Sequence, residues 1–170
     1  SKSVRCLYQD KKGFIWIGTD DGGLNRFDGI SFIKYTNHED NLQWISNNQI
    51  FAIAEDQQGF LWFATGEGLN RFDPKTSAFK RFYHDNANNK SLRTNKITAL
   101  FVDSENTLWI GTSMGLHKYD RDNEEFVNYY SGMKIQNQRP DKEINAIIEA
   151  LQGNLWIGTW WSGLKKFNKK

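Results

Sequence analysis

The sequence predicts an all-β fold of repeated four-stranded antiparallel sheets, on three observations. First, Trp16, Trp62, Trp109 and Trp156 recur at intervals of 46, 47 and 47 residues, within the texts FIWIGT, FLWFAT, TLWIGT and NLWIGT. Second, the apolar runs last five to seven residues, are rich in Ile, Phe, Trp, Tyr and Thr, and are cut by Gly, Asn and Asp. That is the make-up of strands; a helix would sustain a 3.6-residue pattern over ten or more positions. Third, turn-forming residues separate the runs at fixed offsets. A period near 47 residues suits helical HEAT or armadillo units as well as one propeller blade. The strand chemistry selects β-propeller blades.

The second copy shows the elements most clearly, with strands expected at Ile50 to Glu55, Phe60 to Thr65, Leu69 to Phe72 and Phe79 to Tyr83. Along the first strand Val4, Ile50, Ile97 and Ile144 recur, as do Leu7, Ile53, Leu100 and Ile147. Cys6 falls in register with Ala52, Ala99 and Ala146, so its thiol fills a slot for a small apolar group. A tight turn follows at Asp10 to Gly13, Asp56 to Gly59 and Asp103 to Asn106. Its Asp can bond the backbone two residues on, and its last residue tolerates positive φ. One carboxylate per turn is too few oxygens for calcium. The second strand carries the repeated Trp, and Trp16, Trp62, Trp109 and Trp156 are expected as interblade core. The third and fourth strands hold Leu-x-x-aromatic and aromatic-x-x-aromatic pairs. Residues three apart on a strand point to opposite faces, as a sheet between two similar sheets requires. The copies span about 4–35, 50–83, 97–130 and 144–168 of a single propeller segment, residues 1–170, with fifteen strands because the last blade stops after its third.

The pattern I-x-x-I-x-x-D-x-x-G-x-L-W-I-G-T-x-x-G-L-x-R-[FY]-D resembles the two-component regulator propeller repeat. The second copy matches it nearly throughout, from Ile50 to Asp73, and Ser46 to Ile50 and Thr94 to Ile97 match its lead-in. The fourth copy departs at Ala150 and Asn168, where the pattern has Asp. The resemblance implies the periplasmic sensor region of a hybrid two-component histidine kinase. Such a region has propellers of about seven blades, a membrane helix and cytoplasmic kinase modules elsewhere in the parent, and oligosaccharides as the usual signals. The implied partners are the remaining blades of that propeller and an oligosaccharide ligand. Apolar faces left uncovered at the two ends of the segment lead us to expect self-association.

Composition narrows the alternatives. The 170 residues carry a net charge of +2, which offers no electrostatic reason to invoke nucleic acid. No apolar run approaches the roughly 20 residues of a spanning helix, and no basic-then-apolar leader is expected in this stretch. No catalytic residues, metal site or cofactor are expected. Cys6 lacks a local His partner, and His38, His84 and His117 show no metal-ligand spacing. The text around Asp56 and Trp62 only superficially echoes the Asp boxes of sialidases. Positions that vary among copies are free for binding: Arg5, Phe51, Thr98 and Asn145 on the first strand, and the loop after each repeated Thr. That loop and the interblade connections, flanked by Trp44, Asn47, Asn48, Asn95 and Asp141, belong at one end of the propeller. Candidate ligand-binding residues are therefore Trp44, Asn48, Asp20, Asp21, Glu67, Trp160 and Trp161, a set of rings, amides and carboxylates suited to a sugar. A stand-alone carbohydrate-binding or lyase-type propeller and a protein-interaction scaffold are the alternative readings.

Overall fold

A computed structural model describes residues 3–38, 44–129, 143–151 and 153–169. Asp141 and the last residue of the third repeat, Tyr130, lie outside them. Among the described residues fifteen strands form four antiparallel sheets, each running in chain order from one strand to the next. The first holds β1 (Val4–Gln9), β2 (Ile15–Thr19), β3 (Leu24–Phe27) and β4 (Phe32–Tyr35). The second holds β5 (Ile50–Glu55), β6 (Leu61–Thr65), β7 (Gly68–Asp73) and β8 (Ala78–Phe82). The third holds β9 (Ile97–Val102), β10 (Leu108–Thr112), β11 (Gly115–Asp120) and β12 (Glu125–Tyr129). The last holds β13 (Ile144–Glu149), β14 (Leu155–Thr159) and β15 (Leu164–Phe167). The sheets fan out from their first strands, which lie side by side, and among the described residues they do not close into a ring.

Three apolar clusters, one per junction, hold the sheets face to face. The knobs are Ile50, Ile97 and Ile144, each fully or nearly fully buried against the preceding sheet. Gly18 and Gly111 make room for the first and last of them. A Cβ on Gly18 would lie 2.8 Å from Ile50, and one on Gly111 2.7 Å from Ile144. The Leu-x-x-aromatic pair divides as expected: Leu24 packs toward the second sheet, where Phe72 faces back to meet it, and Leu69 and Tyr119 repeat this one junction on. Trp16, Trp62 and Trp109 are at most 2% exposed. Each is ringed by its own fourth strand and the next sheet, as Trp16 is by Tyr35, Phe63 and Phe72.

Trp156 differs from the expected core. It points the same way as the other three, but among the described residues no further sheet covers it, and it is only partly buried. The same reason exposes Leu164 on that face, at 65%, and Val4 and Leu7 on the opposite end, at 58% and 66%. Leu24 and Ile50, the equivalents of Leu164 and Val4, are fully buried. Cys6 sits beneath Ile50, and burial pushes its thiol up to about 11.

The repeated Asp does more than shape the turn. One oxygen of Asp10, Asp56 and Asp103 accepts the backbone N–H of Phe14, Phe60 and Thr107; the other accepts the indole N–H of Trp16, Trp62 and Trp109, each at 2.8 Å. Sequence spacing showed the Asp six residues before the Trp but not this bond. Ala150 forfeits it, yet the fourth turn keeps its backbone form, with Ala150 N–H bonded to Asn154 O and Gly153 N–H to Ala150 O. The positive φ that this turn demands falls on Gly13, Gly59, Asn106 and Gly153.

Candidate functional site

The loop after each second strand is built by the repeated Thr. Thr19 Oγ donates to Gly23 O at 2.7 Å and accepts Gly22 N–H at 2.9 Å. Thr65, Thr112 and Thr159 close their loops in the same way. The first residue of each loop is tied to the residue leading into its own first strand: Asp20 N–H to Ser3 O, Gly66 to Gln49, Ser113 to Lys96 and Trp160 to Glu143. These loops and the residues leading into the first strands thus share one end of the sheets, on a clamped backbone.

Within this end the candidate residues separate into two kinds. Asn48 serves the architecture. Its side-chain oxygen accepts Asn37 N–H at 2.7 Å and its carbonyl accepts Gly23 N–H. Asn95 repeats both bonds with His84 and Gly68. Asp20 is likewise engaged, accepting Arg5 Nε at 2.7 Å and Gln49 Nε2 at 3.0 Å, and the Arg5 bond leads in holding its carboxyl below the usual range. Trp44 is half-buried, with its carbonyl taken by Arg81 and its ring edge-on to His38 at 4.8 Å. Asp21 and Glu67 are exposed. Trp160 and Trp161 are 61% and 69% exposed, with ring centres 6.3 Å apart at 71°. Asp20, Gln49 and Gly66 are linked by hydrogen bonds, so the first two loops meet. The Trp pair stands on the loop of the fourth sheet.

The variable first-strand positions have a structural cause. Arg5, Phe51 and Asn145 each sit at a register shift between their strand and the next, as does Thr98 in the third sheet. Arg5 lies over the Phe51 ring at 4.9 Å, and Thr98 Oγ donates to Ile144 O. They form a row along the first strands near the loop end. His117 is buried and neutral, lowered to about 4 by desolvation, and its Nε2 accepts Arg93 N–H at 3.2 Å. Asn70 does the equivalent for Ser46. Among the described residues no three His, Cys, Asp or Glu side chains are grouped to hold a metal ion.

These sheets define a β-propeller segment whose blades carry a clamped loop end. Residues 1–21, 45–67 and 91–114 match the two-component regulator propeller family. The fourth copy, with Ala150, lies outside the matched segments. Over 98% of its length the chain superimposes on the extracellular domain of BT3049, assigned as a hybrid two-component system of B. thetaiotaomicron, with a TM-score of 0.85 and 29% identity. The extracellular domain of BT4673 from the same organism matches over 98% of the chain, with a TM-score of 0.79 and 29% identity. The chain spans 23% and 24% of those two structures, about a quarter. Virginiamycin B lyase from Staphylococcus aureus matches 97% of the chain and 55% of its own at a TM-score of 0.66, but at 15% identity this likeness shows the fold alone. No curated protein matches the chain in sequence.

Proposed function

We propose that this chain is part of the extracytoplasmic, ligand-sensing propeller of a hybrid two-component receptor located in the periplasm. It binds an oligosaccharide at its loop end and contributes binding, not catalysis, to a histidine kinase in the same protein. The observation that carries this reading is the superposition of all four sheets on extracellular domains of hybrid two-component systems at 29% identity. The loop end supports the ligand class. Trp160 and Trp161 offer apolar ring faces, and Asp21 and Glu67 offer exposed carboxylates to hydroxyls. In the receptor, the uncovered faces of the first and fourth sheets pack against further blades, and ligand binding shifts the propeller between states.

The reading frame on both sides of these residues tests the receptor assignment. Further LWIGT copies, a membrane helix and a histidine-kinase module are expected, and their absence would overturn it. Calorimetric titration of the full receptor domain with a glycan panel tests the ligand. Replacing Trp160 and Trp161 with Ala is expected to weaken binding at least about tenfold, the scale of losing an aromatic contact. Unchanged affinity would remove the Trp pair from the site.

A further inference from the structure

At the end opposite the loops, the three junctions between sheets are closed by different polar chemistry. Between the third and fourth sheets, Lys169 reaches back across the junction. Its ammonium donates to Asp103 Oδ2 at 2.9 Å and to Glu149 Oε1 at 2.6 Å, with the side chain only 12% exposed. The remaining lone pairs of those carboxylates are engaged locally: Asp103 Oδ2 also accepts the Trp109 indole, and Glu149 Oε2 accepts Ser104 N–H. Between the second and third sheets, Arg121 stands at the position of Lys169. It bonds Asp56 Oδ2 at 2.8 Å and the carbonyl of Asn106. Here Val102 replaces the glutamate, and a guanidinium on one carboxylate and one carbonyl completes the junction.

The first junction repeats the carboxylates of the third without its cation. Asp10 Oδ2 accepts the Trp16 indole at 2.8 Å, and Glu55 Oε2 accepts Lys11 N–H at 2.9 Å. These are the roles that Asp103 and Glu149 play beside Lys169. The residue in register with Lys169 and Arg121, however, is Pro74, which has no cation to give. Among the described residues neither Asp10 nor Glu55 forms an ion pair with a lysine or arginine side chain. A cavity of about 310 Å³ opens between the two sheets, lined by Asp10, Glu55, Gly59, Phe60 and Pro74 among others. Lys11, Lys12 and Lys75 line it as well, together with a third carboxylate, Asp73, and the Lys11 ammonium is taken up by Asp56 O at 2.8 Å.

We infer that this cavity binds a primary alkylammonium group, whose charge takes the place between Asp10 and Glu55 that Lys169 holds between Asp103 and Glu149. Its alkyl stem lies against Phe60 and Pro74. Asp10 is 8% exposed, so a cation there meets a carboxylate largely screened from water, where a charge-assisted bond is strongest. The site is distinct from the sugar-facing loops and does not depend on their role. The ammonium can come from a free amine or from the lysine side chain of another protein.

The test uses the intact chain, titrated at pH 7 and low salt with n-butylamine and with Nα-acetyl-lysine methylamide, observed through the tryptophan indole resonances. Saturable movement of the Trp16 indole, whose N–H shares Asp10 Oδ2, is expected, with Trp62 and Trp109 unmoved. Neutral n-butanol should leave all three in place, and added salt should weaken the amine. Pro74→Lys supplies the ammonium from the chain itself and should lower amine affinity at least about tenfold, the scale of one charge-assisted contact. Tighter binding of the lysine derivative would assign the site to a protein lysine; equal binding would assign it to free amines. No movement of Trp16, equal response to n-butanol, or undiminished binding by folded Pro74→Lys would each overturn the inference. Should that variant not fold, the comparison of amine with alcohol on the unaltered chain decides.

Discussion

Replacing Asp56 with Ala converts the second repeat to the chemistry of the fourth, and the structure gives the size of the effect. Asp56 is fully buried and accepts Phe60 N–H at 3.0 Å, the Trp62 indole at 2.8 Å and Arg121 at 2.8 Å. Its loss strands the buried Trp62 N–H, at about 1–3 kcal/mol, and removes the Phe60 turn bond to the charged carboxylate, at about 1.5 kcal/mol. Arg121 is 27% exposed and keeps Asn106 O, so its share is within about 1 kcal/mol. The sum is about 3 kcal/mol, measured as the change in urea unfolding free energy. A double-mutant cycle with Trp62→Phe, which removes the indole donor, isolates the bond, and a coupling of about 1–3 kcal/mol is expected. The converse change, Ala150→Asp, should alter stability by less than about 0.5 kcal/mol, because Trp156 already reaches water. A loss below 1 kcal/mol for Asp56→Ala, or additivity in the cycle, would refute the claim that this bond holds the blade.

Three further outcomes follow from the same packing. His117 is held neutral, lowered from 6.5 to about 4 by burial, so the unfolded chain binds its proton first as pH falls. Its contribution is full above about pH 6.5 and is lost down to about pH 4, amounting to about 3 kcal/mol, and His117→Asn should flatten that slope in urea titrations. The isolated chain should self-associate through its uncovered end faces in analytical ultracentrifugation, and Leu7→Lys with Leu164→Lys should return it to a monomer; a concentration-independent monomer before substitution would contradict this. Cys6, pushed up to about 11, should react with a thiol reagent at pH 8 at least about tenfold more slowly than free cysteine.

Much of the fold was legible because blade packing is periodic. A Val or Ile that repeats at every first strand, a Gly or Ala that repeats opposite it, and a Leu-x-x-aromatic pair each state one side of a junction, and three junctions satisfy all of them. Periodicity says which way Trp156 points and not whether a further sheet stands there, and in this segment it is only partly buried. Asn48 looked free for a ligand because an amide beside a loop suits sugar and backbone alike. Only the bond to Asn37 N–H, repeated by Asn95 and His84, shows the backbone taking it. The Trp pair stood out in the sequence, since the other copies carry Asp20-Asp21, Gly66-Glu67 and Ser113-Met114 there.

The amine cavity was hidden for a different reason. Proline after Asp73 suits the first turn position and reads as turn chemistry in its own right. Asp10 and Glu55 each match a repeated or partly repeated position and read as architecture. The three become a site only when position 74 is known to face the preceding sheet, as Lys169 shows by bonding Asp103 and Glu149. In a stack of near-identical blades the apolar repeat fixes where each sheet lies. The polar residues at the junction ends are then free to differ, and Pro74, Arg121 and Lys169 give three junctions of one design three different capacities to bind. Chemical specificity in such a stack should therefore be sought where a repeat keeps the acceptors of its neighbours and drops the donor.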